Sequence, residues 1–496
     1  MAVHLWAWAV FVAVCAGILL SFRAFDRDRH RVCLLLIIAA GFLLRWYAGG
    51  YQGLHPWDER YHALVARNLC FDPLTPTLYR TPLLGYDFRD WQANHVWLHK
   101  PPLALWLMAA SLALLGATEA AVRLPSLLLS TLQIPLTYAL GKRLWSEKVG
   151  LTAALFHAVS PQLIRLATGQ QSVDHVDTAF VFFIELAVWL AVVYRDRPRL
   201  GLLLATGLVT GLALLTKWLP GLIVCPVFLL LMRPRLGWRR AALQAAVVAV
   251  LAGLVSLPWT AYCRARFPQE YACEQEIHWR HIFEPIHGQG GLPFYHLGPL
   301  LEAHGELVWL PLAWFAIVTF RKGGMTRWAV LAWWGLPLVV FSLVATKRAN
   351  YLAIGAPAIF LTFSYQWWTW RTSFARLRHP KLYAVVLVLL MVLPLKQWLG
   401  LANPFRAASR APAWAEQLRG YGKRLGSETA VVLNAGRPIE TMFYTGATAY
   451  AFVPPREQIE DLLHRGYRVY VVARPSVPAE VWTLPGVTAL PPPPDE

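Results

Sequence analysis

Long apolar runs, nearly free of charge, recur along this chain and are separated by short basic knots. The first runs from Leu5 to Phe22 and ends in Arg23, Arg27, Arg29 and Arg31; the second, Val32 to about Gly49, follows at once. A helix that crosses a bilayer needs about 20 apolar residues, so runs of this kind point to a polytopic membrane protein. The composition agrees. Of 496 residues, 57% are hydrophobic and 15% charged, where a soluble chain carries roughly a quarter charged, and the mean hydropathy is +0.42. The N-terminus has no basic start and no small-x-small cleavage pattern, so the first run reads as an uncleaved span.

Further knots stand at Lys142-Arg143, Arg195 to Arg199, Arg233 to Arg240, Arg321-Lys322 and Arg371 to Lys381. They fall at every second loop, while the loops between them hold mixed acids, histidines and lysines. Basic loops stay in the cytoplasm, which puts the mixed loops on the other face. The expected fold is α-helical, with about twelve spans, provided that the short run Pro101 to Gly116 lies along the interface. The net charge of +18 then reflects membrane topology, and nucleic-acid binding is excluded. The six cysteines lack metal-like spacing; Cys70, Cys263 and Cys273 fall in outer loops, which leaves one disulfide open.

Residues 1–31 read as an extra span and a cytoplasmic loop. Residues 32–400 form the membrane region, with a first outer loop over about 50–120 and a second over about 262–305. Residues 401–496 change character. Ala430 to Leu433 and Tyr467 to Ala473 read as buried strands, Trp414 to Leu425 and Glu457 to Leu463 as helices: a small α/β domain outside the cytoplasm, with a disordered tail from Pro491.

The outer face gathers the chemistry. Asp58 and Glu59, followed by Arg60 and Tyr61, stand just after a span, where carboxylates are costly without a partner or a task. Asp174 and Asp177 form a second acidic island. Lys100, Lys217, Lys347 and Arg348 are cations near membrane depth, with Tyr351 close behind the last two. Acids and cations at a bilayer surface suit a leaving group that is a phosphate on a lipid: the cations stabilise the charge that develops, and a carboxylate takes a proton from an attacking hydroxyl. There is no glycine-rich phosphate loop, so no nucleotide is called for.

These residues carry a family resemblance. Asp58-Glu59-Arg60-Tyr61, His99-Lys100-Pro101-Pro102, Ala121-Val-Arg123-Leu-Pro125, Asp177 with the aromatic run to Phe183, Lys217, Phe294-Tyr295 and Lys347-Arg348 before Tyr351 resemble, in order and in side, the GT-C glycosyltransferases. The branch is that of the protein O-mannosyltransferases and the bacterial transferase that adds aminoarabinose to lipid A. The resemblance implies a GT-C membrane enzyme that moves a sugar from a polyprenyl-phosphate donor, of undecaprenyl type, with inversion. The acceptor would be a hydroxyl or phosphate of a lipid A-like lipid, an envelope glycan or a protein, on the periplasmic or extracellular face of the bacterial inner membrane. Asp58 matches the first-loop aspartate, Lys100 a donor-phosphate lysine, and Asp177 the second acidic position, with Asp174 as the competing alignment; Glu59 stands beside them as a further catalytic candidate. Lys217, Lys347, Arg348 and Tyr351 join Lys100 around the donor phosphate. Relatives can hold a divalent metal near a glutamate where this chain has His99, and His99 with His287 is the substitute pair for zinc.

Plainer readings stand beside these. Asp58-Glu59-Arg60 could be a salt-bridged interfacial turn. Asp174 and Asp177 could cap a helix, and Lys217 could snorkel to the interface. Arg123 could brace the fold through a first-loop carboxylate. The competing functions are a transporter or flippase for lipid-linked sugars, which would place its charges along a mid-membrane pathway, and an inactive glycan-binding relative.

Overall fold

The computed structural model describes residues 2–172, 174–374, 411–425 and 429–494, with a few single positions between 385 and 396. The expected last span, Leu382 to Leu399, and Arg376, Arg378 and Lys381 lie essentially outside the described residues. The chain divides into two compact units. One comprises residues 1–49, 126–266 and 275–407, the other 50–125, 267–274 and 408–496.

In chain order the helices are α1 (Ala2–Asp26), α2 (His30–Ala48), α3 (Asp58–Leu69), α4 (Leu103–Leu115), α5 (Glu119–Leu144), α6 (Glu147–Ala158), α7 (Pro161–Ala167), α8 (Asp174–Asp196) and α9 (Leu200–Lys217). After these come α10 (Val224–Arg266), α11 (Pro268–Phe283), α12 (Leu297–His304), α13 (Trp309–Lys322), α14 (Met325–Leu343) and α15 (Ala356–Phe374). Beyond them are α16 (Ala413–Leu425), α17 (Pro438–Thr445) and α18 (Arg456–His464).

The first unit is the helical bundle. Among the described residues six helices are long and apolar enough to cross a membrane, or up to eight if the bent pairs α6–α7 (54°) and α12–α13 (111°) are each one span. The sequence pattern suggests about twelve. Part of the gap is α10, a single 43-residue helix except at Gly237, where φ 71° and ψ 172° interrupt it inside the knot Arg233 to Arg240. Glycine takes that positive φ without penalty. α8 is the central helix, buried along most of its length, and packs against α9, which packs against α10. Gly207 and Gly211 permit the second contact: a Cβ on either would come within about 2.6 Å of Leu251 or Val255. Small residues spaced by four let helix backbones approach in this way.

The second unit joins the first loop to the C-terminal segment. Its sheet has four parallel strands in the order β2-β1-β3-β4, where β1 is Ala430–Leu433, β2 Thr448–Ala449, β3 Arg468–Val472 and β4 Val487–Leu490. β1 is buried at every position, as a central parallel strand should be. In register, Val431 lies opposite Val469. α17 packs against α3 and α16, and Arg67 of α3 donates to the Met442 and Phe443 carbonyls, at the end of α17 where a cation is favoured. α4 has 13 residues, about 20 Å at 1.5 Å per residue, too short for a bilayer core of about 30 Å. The thiols of Cys70 and Cys263 are unbridged. The tail from Pro491 is tied at its start: Gln417 Nε2 donates to the Pro491 and Pro492 carbonyls at 3.0 and 3.1 Å.

Candidate functional site

In the second unit, α3 starts at Asp58 directly after Trp57, whose φ is 73° and ψ −126°. Positive φ is rare for a bulky residue and collects at functional positions. Asp58 and Glu59 occupy the first turn, where the helix dipole favours negative charge. Both are buried. Glu59 accepts from Arg123, Nε to Oε1 at 2.7 Å and Nη2 to Oε2 at 2.8 Å, and from the His55 amide at 2.5 Å. The same guanidinium donates to the Gly53 carbonyl at 2.6 Å and to the Tyr51 carbonyl. Glu59 and Arg123 thus tie the segment that leads into α3 to the start of α5.

Arg60 reaches Glu440 of α17 at 3.3 Å, and Arg437 flanks the same carboxylate at 3.7 Å. Arg60 also lies over the Tyr61 ring at 4.9 Å. Burial raises the Tyr61 hydroxyl above its usual pKa, and the Arg60 charge opposes that shift. His99 stacks on Trp91 at 4.6 Å, and its Nδ1 lies 3.2 Å from Oε2 of the buried Glu274. Lys100 follows, half-buried. Among the described residues no three His, Cys, Asp or Glu side chains group to hold a metal ion, and the His287 side chain lies outside the described residues. The expected His99–His287 pair thus lies partly outside the described residues, and His99 is engaged by Glu274.

The first unit holds its own cluster. Asp174 opens α8 and Asp177 follows within the first turn. One Asp177 oxygen takes the Lys217 ammonium; the other accepts from Asn350 Nδ2 at 2.5 Å. Asn350 also donates to the Ser172 carbonyl at 2.8 Å. Lys217 is the last residue of α9, and Trp218 after it has φ 62° and ψ −153°, a second bulky residue at positive φ. The Lys217 ammonium lies 5.4 Å from the centre of the Tyr351 ring, a cation–π distance. Burial raises the Tyr351 hydroxyl above its usual pKa, opposed by the charge of the neighbouring Arg348 guanidinium. His175 pairs with Ser126 Oγ at 2.7 Å.

Lys347 points elsewhere. Its ammonium donates to the Phe341 carbonyl at 3.2 Å, the Ser342 carbonyl at 2.6 Å and the Val344 carbonyl. These close the end of α14, a helix-capping role. The structure therefore brings Asp177, Lys217, Arg348 and Tyr351 together, engages Glu59 with Arg123, and turns Lys347 onto backbone.

Three partners escaped the sequence reading. Asn350 sits inside the string Lys347 to Tyr351, so its position was visible but its pairing with Asp177 was not. Glu274 and Glu440 carry no local signal; only folding brings them to His99 and Arg60.

Residues 99–262 match the family model described as dolichyl-phosphate-mannose-protein mannosyltransferase. The chain is 29% identical over 349 residues to an undecaprenyl phosphate-alpha-4-amino-4-deoxy-L-arabinose arabinosyl transferase of Pseudomonas aeruginosa (strain LESB58), covering 66% of this chain and 57% of that protein. It is 30% identical over 287 residues to a protein of the same description, numbered 1, in Pseudomonas fluorescens (strain Pf0-1), covering 53% and 48%. The chain thus spans about half the length of these curated relatives. Among solved structures it is similar to ArnT from Cupriavidus metallidurans bound to undecaprenyl phosphate, with TM-score 0.61, 18% identity and 87% of each chain covered. It is also similar to the oligosaccharyltransferase AglB of Archaeoglobus fulgidus, with TM-score 0.57, 12% identity, and 86% and 65% covered. In sequence the chain resembles the undecaprenyl-phosphate aminoarabinose transferases, and its fold is the GT-C fold that ArnT and AglB share.

Proposed function

We propose that this chain is a membrane glycosyltransferase that moves a sugar from a polyprenyl-phosphate donor, of undecaprenyl type, to a hydroxyl or phosphate on a lipid acceptor. The observation that carries the reading is the Asp177–Lys217–Asn350 cluster: a lysine at the end of an apolar helix, aimed by a carboxylate, with the Tyr351 ring beside its ammonium. Such a lysine can neutralise a lipid phosphate. The names of the curated relatives support the undecaprenyl-phosphate-linked donor.

In this reading the acceptor oxygen attacks the sugar carbon from the side opposite the phosphate. The carbon–oxygen bond to phosphate breaks, and polyprenyl phosphate leaves with the bonding pair. Lys217 and Arg348, with Lys100, offset the charge on the departing phosphate. Asp58 takes the proton of the acceptor, and the sugar carbon inverts. Asp177 and Asn350 position Lys217; Asp174 marks the start of α8, while Glu59, Arg123, Arg60 and Tyr61 hold α3. We assign Lys347 to the end of α14. In this reading residues 32–400 are the catalytic membrane region, and the first loop and residues 401–496 lie on the non-cytoplasmic side of a bacterial inner membrane, the side on which the acceptor would meet the donor's sugar.

The test is turnover of the purified protein with undecaprenyl-phosphate-linked sugar and lipid acceptor, beside mass spectrometry of envelope lipids with and without the gene. Asp58→Asn should insert and fold normally yet lose transfer by about 10²-fold or more, the range of a lost general base. Near wild-type turnover in that variant removes the base assignment, and unchanged envelope lipids remove the lipid acceptor.

A further inference from the structure

Within the bundle of the first unit lies a polar chain that the proposed reaction does not use. Arg45 of α2, Ser130, Gln133 and Thr137 of α5, His157 of α6 and Glu185 of α8 are all essentially inaccessible. Glu185 is the middle residue of the 23-residue α8, about 16 Å from either end at 1.5 Å per residue. That is the midplane of a hydrocarbon core of about 30 Å, where ionisable groups are costly.

The Arg45 guanidinium donates to Ser130 Oγ at 2.8 Å and to the Gly41, Ala158 and His157 carbonyls at 3.0, 2.9 and 3.2 Å. The last two belong to the C-terminal end of α6, where the helix breaks before α7. Thr137 Oγ1 bridges two titratable groups, with His157 Nδ1 at 2.7 Å and Glu185 Oε1 at 2.5 Å. Beyond these contacts Glu185 Oε2, His157 Nε2 and both amide atoms of Gln133 are buried with no partner among the described residues. Gln133 stands one turn before Thr137, on the same side of α5.

A threonine hydroxyl has one proton, so it donates either to His157 or to Glu185, and two of the arrangements this allows differ in where the acid proton rests. In one, neutral Glu185 donates to Thr137 and Thr137 donates to Nδ1 of a neutral His157. In the other, the Glu185 proton has moved to Thr137 and the threonine proton to His157, giving a carboxylate and an imidazolium. The second state would place an imidazolium on the residue whose own carbonyl binds the Arg45 cation. It would also leave a midplane carboxylate with one hydrogen-bond donor. From α5 Glu185 meets Thr137; His157 of α6 and Arg45 of α2 lie beyond it, and among the described residues no other charged side chain pairs with Glu185.

We infer that Glu185 is a neutral, proton-holding acid at the bilayer midplane, and that bound water satisfies its Oε2 atom. Buried polar atoms without a protein partner, here on three helices of one hydrogen-bonded chain, are the groups that internal water satisfies. The assignment is independent of the transfer reaction. Its mechanical setting is the break between α6 and α7, one end of which Arg45 caps.

Infrared spectroscopy of the full-length protein in lipid nanodiscs at neutral pH tests it. The wild type should show a protonated-carboxyl C=O band that is lost in Glu185→Gln, displaced in Thr137→Val, and shifted in D2O because water reaches the proton. Superimposable carboxylic-acid regions in wild type and Glu185→Gln overturn the neutral acid. A Glu185 band that ignores D2O overturns the bound water. Should Glu185→Gln fail to fold, Thr137→Val decides alone: a carboxyl band that it leaves in place counts against the assignment.

Discussion

Arg123 grips both carboxylate oxygens of Glu59, at 2.7 and 2.8 Å, with neither side chain exposed to solvent. The guanidinium also donates to the Gly53 and Tyr51 carbonyls. Asp58, one residue earlier on the same helix turn, is rotated about 100° from Glu59. The two adjacent acids therefore point in different directions.

Arg123→Ala or Glu59→Gln should lower stability by roughly 3–5 kcal/mol, the cost of leaving one partner of a buried ion pair. Asp58→Asn keeps the size and shape of its buried side chain and should lower stability by less than either of these. Denaturant unfolding in detergent measures both. Wild-type stability in Glu59→Gln would remove its bracing role.

Lys217 and Lys347, alike in sequence context, should behave differently. Lys347→Met loses a helix cap and should cost about 1–2 kcal/mol of stability with the donor KM unchanged. Lys217→Met should raise the donor KM tenfold or more, but it also strands Asp177. The double variant Lys217→Met with Asp177→Asn removes both charges and should recover stability without recovering donor affinity. Unfolding curves and donor KM values, taken together, separate the two roles.

Tyr444 donates to Glu119 at 2.6 Å, and burial, then the Glu119 charge, raises its pKa. Below about pH 10 the hydroxyl is protonated in both folded and unfolded chains. Above that, the unfolded chain sheds the proton and the folded one keeps it, so stability falls as pH rises. Tyr444→Phe should lower stability by about 1 kcal/mol at neutral pH and flatten the decline above about pH 10. Equal slopes in the two proteins would show that Tyr444 does not carry the effect.

Much of this was legible locally. The island Asp174 to Asp177 marks where α8 begins, and the apolar run Ala430 to Leu433 is β1 residue for residue. Periodicity and run length act over neighbouring residues, so they survive in a bare sequence. The bent pair α6–α7 was not foreseen, because Ser160-Pro161 inside an apolar run is compatible with either a turn between spans or a break within one. Nor were Arg45, His157 and Glu185, which sit within apolar runs and gain meaning from one another across helices.

The sequence by itself determined that this chain is a helical membrane protein with acids and cations concentrated between its spans, since burial of apolar surface depends on composition along short stretches. Tertiary structure decided the pairings: Glu59 with Arg123, Asp177 with Lys217 and Asn350, Lys347 with the end of α14. A charge can pair with any opposite charge that comes within a few ångströms. Which one does is set by helix packing, which joins positions as far apart as Asp177 and Asn350.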